Sequence, residues 1–543
     1  MKKYLMFIIL LILPFLLVGC TPQENEGLVL RVYNWQDYID EGLDDEGQKI
    51  GTSVMEEWQE WYYQTYGEKV EVVYDTFETC ETMMNTLKTG KTTYDLICPS
   101  EYTIQKMIRL DMLETYDYDL KDENGNLIMN NYHNVSPYLI NLFSDKGWND
   151  YAVPYMWGTM GFIYNPENIA AEDIKHWSIL WNENYKNMAT AKDSIRDTYV
   201  VGVMNVYYDE LMALREDLQN GKITQEQYTK QIGLIMNRCD DETLLKVETA
   251  LKQMKNNVYG FEVDSGKSDI VTGKVSINFA WSGDAVYSLD VAEEENEVYL
   301  NYQVPEEGSN VWFDGWVMPK GANKQLAQSF VNYLCDPEIA VRNMNYIGYT
   351  SSVVGDSIID MIDDWYGAIY PEFSDETNTW WYDEVNLNIS DSTLDVNVIN
   401  NEIYLGEKKV ISILENIKDD EGNPYSDYYL CTSYDVDLTY LFDGSVSEEY
   451  LNEDGKIIVS VEERGRQFDT QYPDYETILR CGIMEDFGER NDAVLAMWEN
   501  VKIGDIPISI TILLLISIVI IFGAVNAKKI MKEQQKKRRK ATA

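Results

Sequence analysis

The side chains of this chain that could do chemistry favour binding over catalysis. Only two histidines, His133 and His176, occur in 543 residues, which argues against a histidine-based metal site or a histidine-dependent nucleophile. Asp197 and Asp314 could act as an acid–base pair, but no nucleophile motif, phosphate-binding loop or metal-ligand spacing accompanies them. We therefore predict that the chain is not an enzyme and uses no cofactor or metal.

Aromatic and acidic residues set the character of the chain. It contains 40 tyrosines and 14 tryptophans, which combine a flat apolar ring with a polar group and suit a ligand cleft, although most must fill the core. The formal net charge of −48 repels nucleic acid and anionic substrates and attracts cations. Because the same acidity could serve solubility alone, composition does not identify a ligand.

The cysteines predict neither a zinc site nor a disulfide framework. Cys20 apart, they are widely scattered and none forms a CxxC pair, although one or two disulfides remain open outside the cell. These scattered residues are Cys80, Cys98, Cys239, Cys335, Cys431 and Cys481.

The N-terminus has the pattern of an export signal. Lys2 and Lys3 precede an apolar run over residues 4–17, which is too short to span a bilayer comfortably. The following Leu17-Val18-Gly19-Cys20 resembles the lipobox of bacterial lipoproteins, in which the cysteine becomes the lipidated first residue. We predict a signal peptide over 1–20 with lipidation at Cys20; an uncleaved anchor with an incidental cysteine is the alternative.

A second membrane element is predicted near the C-terminus. Residues 506–527 carry no charge and are rich in Ile, Leu and Val, enough for one transmembrane helix. The basic tail over 528–543 is expected to stay in the cytoplasm, which places the preceding body on the extracellular face of a bacterial cell membrane. Nucleic-acid binding by this tail is the rival interpretation, and its position directly after the helix favours topology.

The predicted elements that carry the candidate binding residues alternate between strand and helix. Strands near 28–35, 69–74 and 94–98 alternate with helices near 51–66, 78–89 and from residue 102, which predicts an α/β lobe with a mainly parallel sheet. Ligands bind outside the carboxyl ends of such strands, where Trp35 and Ser100 fall.

A second α/β region is predicted from about 157 to 312. It contains a helical stretch over 209–236 and a strand over 276–280, and a strand over 316–319 and a helix over 324–335 follow it. Residues 353–470 are acidic and rich in tyrosine, with weaker periodicity, and remain unassigned.

Several phrases resemble the spermidine/putrescine-binding proteins of polyamine ABC transporters. The first is Tyr33-Asn34-Trp35-Gln36-Asp37-Tyr38, and together the phrases cover roughly 28–352 and 471–500 in the family's order and spacing. The others span 94–102, 153–158, 176–181, 280–283, 312–314, 347–349 and 472–488.

The resemblance implies a fold and partners. The fold would be a two-lobed, periplasmic-binding-protein-like α/β fold of type II that closes over a polyamine, with the chain crossing between lobes near 155–159, near 312 and after 349. A permease and, through it, an ATPase subunit would be partners. Lobe 1 would comprise 28–155 and 312–350, and lobe 2 would comprise 156–311 and 351–500, including the insertion at about 353–470.

Position by position, the resemblance also implies ligand contacts. Trp35, Trp281 and Trp312 match an aromatic box, and Asp314 matches the carboxylate that receives an ammonium group. The remaining assigned contacts are the rings of Tyr38, Tyr102 and Tyr349, the hydroxyl of Ser100, and the acidic Asp37, Asp197 and Glu485.

Two departures leave the preferred polyamine open. Ser194 stands where the family's well-studied spermidine binder has an acidic ligand, and Met484, beside Glu485, stands where some relatives have an amide. Arg196 is expected to orient Asp197 rather than to contact ligand.

Other functions stay open at this point. A sugar, an amino acid or a metal chelate could occupy the same type of cleft, since sugars also stack on tryptophan. We expect a carboxylate cluster without a basic ligand residue, which favours a cation. A sensor subunit is disfavoured because the tail after residue 527 is too short for a signalling domain.

Overall fold

The computed structural model describes residues 27–503, with gaps at 44–46, 91, 369–371, 375–378, 382–386, 389–395, 400–401 and 415–428. The predicted signal peptide with Cys20, the predicted helix over 506–527 and the basic tail lie outside the described residues. Within the described part of the chain, no helix combines the length and apolarity needed to cross a membrane.

The first lobe is an α/β unit, as its alternating pattern predicts. Strand β1 pairs in parallel with β2 on one side and with β3 on the other. Helix α1 begins with a capping box, in which the Ser53 hydroxyl accepts from the Glu56 backbone and the Glu56 carboxylate accepts from Ser53. The elements are β1 (Leu28–Trp35), α1 (Val54–Tyr66), β2 (Val70–Phe77), α2 (Cys80–Thr89), β3 (Leu96–Ile97), α3 (Glu101–Arg109), β4 (Leu113–Glu114) and α4 (Pro137–Asp145).

The second lobe is also α/β, with its strands β8, β6 and β7 in parallel order. The helical stretch predicted over 209–236 forms two helices, because Gly221 at φ 66° follows the first and Thr224 caps the second. The elements are β5 (Ala152–Tyr164), β6 (Ala189–Lys192), α5 (Ile195–Val206), α6 (Tyr208–Gln219), α7 (Gln225–Met236), α8 (Asp241–Asn257), β7 (Gly260–Glu262), α9 (Gly266–Val271), β8 (Ile277–Trp281), α10 (Ser282–Asn296) and β9 (Asn301–Gln303).

The chain then returns to the first lobe through β10 (Val311–Pro319), α11 (Lys324–Leu334), α12 (Pro337–Ile347) and β11 (Thr350–Ser351). Strands β5 and β10 run antiparallel, with Trp312 opposite Gly158, and β11 pairs with β5 at Trp157. Since every residue of β5 is buried, this strand forms a common core element of both lobes.

One sheet therefore passes through both lobes. Its order among the described residues is β2-β1-β3-β10-β5-β8-β6-β7, with β11 and β9 also paired to β5 and β4 paired to β10. The parallel strands of each lobe point their carboxyl ends toward the junction, and the two antiparallel strands β5 and β10 connect them.

The segment that the sequence left unassigned forms further strands and helices. Its described part packs on the first lobe, where the Ser136 hydroxyl donates to the Leu441 carbonyl at 2.7 Å and Tyr138 meets Tyr440 edge to face. The elements are α13 (Asp356–Tyr366), β12 (Glu372–Ser374), β13 (Thr379–Trp381), β14 (Leu387–Asn388), β15 (Val396–Ile399), β16 (Glu402–Leu405), β17 (Lys408–Leu414), β18 (Tyr429–Asp437), α14 (Thr439–Phe442) and β19 (Ile458–Val461).

The last described elements return to the second lobe. The Gln225 side-chain amide of α7 donates to the Leu479 carbonyl at 2.8 Å, and α17 packs against α8. They are α15 (Gln467–Gln471), α16 (Tyr475–Leu479) and α17 (Asn491–Ile503).

We predict that Gly158→Ala destabilises the protein where β5 passes between the lobes. A Cβ atom at Gly158 would lie 2.1 Å from the Ser282 hydroxyl and 2.7 Å from the Trp312 ring, so both must move. Overpacking of this kind costs about 1–3 kcal/mol of unfolding free energy. Urea denaturation measures it, with Gly233→Ala as a control, because a Cβ there meets nothing within 4 Å. Equal stability of the two variants would contradict the predicted packing.

Candidate functional site

A cleft of about 1450 Å³ lies between the lobes and is lined by residues of both. Ten of the eleven side chains assigned from the sequence line it: Trp35, Asp37, Tyr38, Ser100, Tyr102, Asp197, Trp281, Trp312, Asp314 and Tyr349. Trp35 and Trp281 end strands, and Tyr102 and Asp197 lie in the first turns of helices. Trp312 and Asp314 lie in the first half of β10, and Tyr349 follows the end of α12.

The three tryptophans reach the cleft from three different strands. Trp35 is the last residue of β1 and packs on Phe77, with ring centroids 4.6 Å apart. Trp281 is the last residue of β8. Trp312 lies on β10, where its indole donates to the Thr159 carbonyl at 3.0 Å and its ring is 5.5 Å from that of Tyr349. The predicted aromatic box is thus spatially assembled, although its role in ligand binding remains a proposal.

Asp314 is the most distinctive group in the cleft. It lies two residues after Trp312 on β10, so both side chains point to the same face, and a register shift follows directly at Gly315. The Tyr38 hydroxyl donates to Asp314 Oδ2 at 2.7 Å, whereas the buried Oδ1 has no hydrogen-bond partner among the described residues. Burial raises the pKa of Asp314 to about 7, although the hydroxyls of Tyr38 and Ser100 oppose the shift. The charged form of such a carboxylate would be stabilised by a positive charge placed beside it.

Two more acidic groups stand near Asp314 in the same cleft. Burial raises the pKa of Asp197, which lies in the first turn of α5, against the opposing effect of hydrogen bonds from Ser194 and the Trp281 indole. Burial also raises the pKa of Glu81 in α2, and the negative charge of Asp197 adds to that shift. Sequence reasoning missed Glu81, whose only signal was its position just after β2, at the same edge as Trp35.

A buried carboxylate in the cleft wall, Glu101, binds the strand that carries Asp314. Glu101, in α3, accepts from the Asn310 amide at 3.1 Å and from the Phe313 backbone at 3.2 Å. Burial raises its pKa to about 8. Glu101 thereby positions the segment around Trp312, a role that its sequence context did not reveal.

The sequence predicts a carboxylate cluster without a basic ligand residue, yet three basic side chains lie in the cleft wall. Lys192, Lys267 and Arg342 all line it. Arg342 pairs with Asp40 at 2.5 Å on the first lobe. Burial alone would lower the pKa of Lys192, yet its pKa is raised because carboxylates of the second lobe stabilise the ammonium group.

Glu485 and Arg196 lie away from the ligand-facing wall. The Glu485 carboxylate is half exposed and 3.9 Å from Lys146, and it is not part of the cleft lining, so we do not retain it as a contact. At Glu485 the backbone, and not the side chain, faces the interior of the protein. The Glu485 carbonyl accepts a hydrogen bond from the Arg196 guanidinium at 2.7 Å. Arg196 also stacks on Phe487 at 4.2 Å, which makes it part of the support for α5.

The comparisons with known proteins agree with this geometry. A profile of the bacterial extracellular solute-binding proteins matches residues 58–357, which is more than half of the chain. The chain belongs to this family. In the described ranges of this solute-binding protein, no group of three acidic, histidine or cysteine side chains is placed to hold a metal ion.

Individual relatives of this solute-binding protein are known. It is 27% identical over 322 residues to the spermidine/putrescine-binding periplasmic protein of Salmonella typhimurium, covering 59% of this chain and 76% of the relative. It is 27% identical over 327 residues to the putrescine-binding periplasmic protein SpuD of Pseudomonas aeruginosa, covering 58% and 76%. A solved structure, the spermidine/putrescine ABC transporter substrate-binding protein of Streptococcus pneumoniae, is 30% identical, with 60% and 83% coverage and a TM-score of 0.43.

We predict that Asp314→Asn stabilises the ligand-free protein at pH 8 but not at pH 4. The native pKa of about 7 is above the ordinary value of 3.8, so the native state binds more protons than the unfolded state between these values. The contribution of Asp314 to stability therefore falls as the pH rises through this window, by on the order of 1–4 kcal/mol. Urea unfolding at pH 4, 6 and 8 tests this.

Asp111→Asn is the control for this measurement, because that side chain is exposed beside Lys320. The same dependence on pH in Asp314→Asn and in the unsubstituted protein would contradict the assignment.

Proposed function

We propose that this protein is the substrate-binding component of an ABC importer for polyamines such as spermidine and putrescine. The observation that carries the proposal is the buried, half-unpartnered carboxylate of Asp314 beside Trp312 in the interlobe cleft. The polyamine-binding relatives support the same ligand class.

The cleft has the groups that an oligoamine needs. Such a ligand is a flexible apolar chain with ammonium groups a few carbons apart, so it requires spaced carboxylates and flat apolar walls. Each cation–π contact contributes about 0.5–2 kcal/mol and each hydrogen bond to a charged group about 1.5–3 kcal/mol. Several together reach the roughly −8 kcal/mol that micromolar affinity requires after the costs of association.

In this proposal each cleft residue has a separate role. Asp314 receives one ammonium group through the free Oδ1, while Tyr38 holds Oδ2. Asp197 and Glu81 receive a second ammonium group. The rings and polar groups that complete the walls are Trp35, Trp281, Trp312, Tyr102, Tyr349, Ser100 and Asp37.

The same cleft fits a neutral sugar less well. Sugars also stack on indole rings, but they supply no charge to a buried carboxylate. An ammonium ligand compensates the burial of Asp314 directly.

The proposed function also includes delivery of the polyamine to a permease and anchoring of the protein to the membrane. The lobes close over the ligand by a hinge at the interlobe strands, and the closed form docks on a permease that an ATPase drives. A lipid on Cys20 and a helix over 506–527, both predicted from sequence, would hold the body on the extracellular face of the membrane. Such anchoring raises the effective concentration of the binder near the permease.

Calorimetric titration of the full-length chain in detergent tests the ligand class. We expect putrescine or spermidine to bind with micromolar affinity or better, and glucose and glutamate not to bind. Asp314→Asn should weaken polyamine binding at least about tenfold, because it removes a buried charge partner. Asp111→Asn should bind as the unsubstituted protein does. Unchanged affinity in Asp314→Asn would show that the site assignment is wrong.

Binding should also release protons near neutral pH. A bound ammonium group favours the ionised carboxylate, so the pKa of Asp314, about 7 without ligand, falls when the ligand binds. Polyamine affinity should therefore drop as the pH falls from 8 to 6. Titrations at pH 6.5 in buffers of different ionisation enthalpy count the released protons, and Asp314→Asn should release fewer. An affinity that does not change with pH would count against Asp314 as the ammonium receptor.

A further inference from the structure

The charged groups of the cleft include two sets with different charge partners. Asp314, Asp197 and Glu81 form one set, which we call the acidic end, and burial raises the pKa of each. The other set, the lysine end, is built by Lys192 and Lys267 with Glu262, Asp264 and Asp284, all of which line the same cleft. The two ends therefore offer different environments to a cation.

The ammonium group of Lys192 has three polar partners at the lysine end. Its ammonium group is 3.2 Å from Asp284 Oδ2 and 3.3 Å from Glu262 Oε1, and it donates to the Val263 carbonyl at 3.0 Å. Its side chain is only 1% exposed, so this charge is a permanent part of the wall.

Lys267 brings a second positive charge to the same place. Its ammonium group is 2.9 Å from Asp264 Oδ1 and 3.8 Å from Asp284 Oδ1. Burial alone would raise the pKa of Asp284, but the two lysines lower it, and the Tyr349 hydroxyl also donates to this carboxylate at 2.9 Å. The carboxylates of the lysine end thus already have cations.

Trp281 stands between the two ends. Its indole N–H bonds to the Asp197 carboxylate at the acidic end. One of its faces is covered by Lys192, whose Nζ is 4.3 Å from the ring centroid. This is the position that a ligand ammonium group would take over an indole ring. The protein has filled this cation position with its own side chain.

We propose that Lys192 and Lys267 restrict the cleft to diamines, in preference to triamines and tetraamines. The inference rests on the proposed function and specifies its ligand. A diamine places its two ammonium groups at the acidic end and leaves the lysine end empty. A third ammonium group extends toward Lys267 and is repelled by it. Discrimination by a repulsive group in this way is a general route to specificity.

Lys267 is the better residue to change, and the chain offers a matched control. Lys267 is 24% exposed and pairs with Asp264, and its Nζ is 5.6 Å from the Tyr287 ring. Lys274 is also in the second lobe, 2.8 Å from Asp269 and 4.8 Å from the Tyr259 ring, but it does not line the cleft. The two lysines differ mainly in whether they face the ligand.

The experiment is a calorimetric titration of the full-length chain with putrescine, which has two ammonium groups, and spermidine, which has three. We expect the unsubstituted protein to prefer putrescine. Lys267→Met should raise the ratio of the spermidine to the putrescine association constant about tenfold, since it removes one close like charge. Lys267→Gln should act in the same direction and serves as a second variant if Lys267→Met folds poorly. Lys267→Arg and Lys274→Met should leave the ratio unchanged within about twofold.

The outcomes separate the inference from the proposed function. If neither polyamine binds the folded, unsubstituted protein, the proposed function is wrong. If both bind but spermidine is favoured, or if Lys267→Met and Lys267→Gln leave the ratio unchanged, the inference about the lysines is overturned while the polyamine function stands. An equal change in Lys274→Met would also overturn it, because the effect would then be one of general surface charge.

Discussion

The buried carboxylate of Asp314 is the group to which the rest of the cleft is arranged. One of its oxygens accepts from Tyr38 and the other has no partner among the described residues. Placing an unpaired acid in this position is unfavourable, as its raised pKa indicates. The surrounding fold must therefore supply enough stability to keep it there. A bound cation would offset the unfavourable free energy of burying this carboxylate, and this gain would favour ligand binding.

The rigid elements of the fold hold this group in place. Asp314 lies on β10, in the middle of a sheet that passes through both lobes, and Glu101 binds the same strand. The tryptophans come from the ends of separate strands, so each indole is fixed by a strand rather than by a loop. Side chains on such elements lose little further freedom on binding, which favours affinity.

The cleft contains carboxylates that would attract a cationic ligand and lysines that would repel it. The acidic end offers carboxylates whose pKa is raised by burial, and the lysine end offers carboxylates that Lys192 and Lys267 already pair with. A cleft with only the first group would attract any oligoamine in proportion to its charge. The second group gives the cavity a means of limiting how many charges its ligand carries.

The order of strands and helices, the strand ends at Trp35 and Ser100, and the family phrases were all readable from the amino-acid sequence, because they depend on local periodicity and on motifs. So were ten of the side chains that line the cleft. The outward side chain of Glu485 and the roles of Glu81, Glu101 and Lys192 were not. Each depends on contacts between residues far apart in the chain: Lys192 meets Asp284 and Glu262 only because β6, β7 and β8 end side by side. The sequence by itself thus determined a set of aromatic and acidic residues that meet in the cleft. The tertiary structure decided which other residues join them and which charges are paired, since electrostatic pairing depends on distance in space and not on separation along the chain.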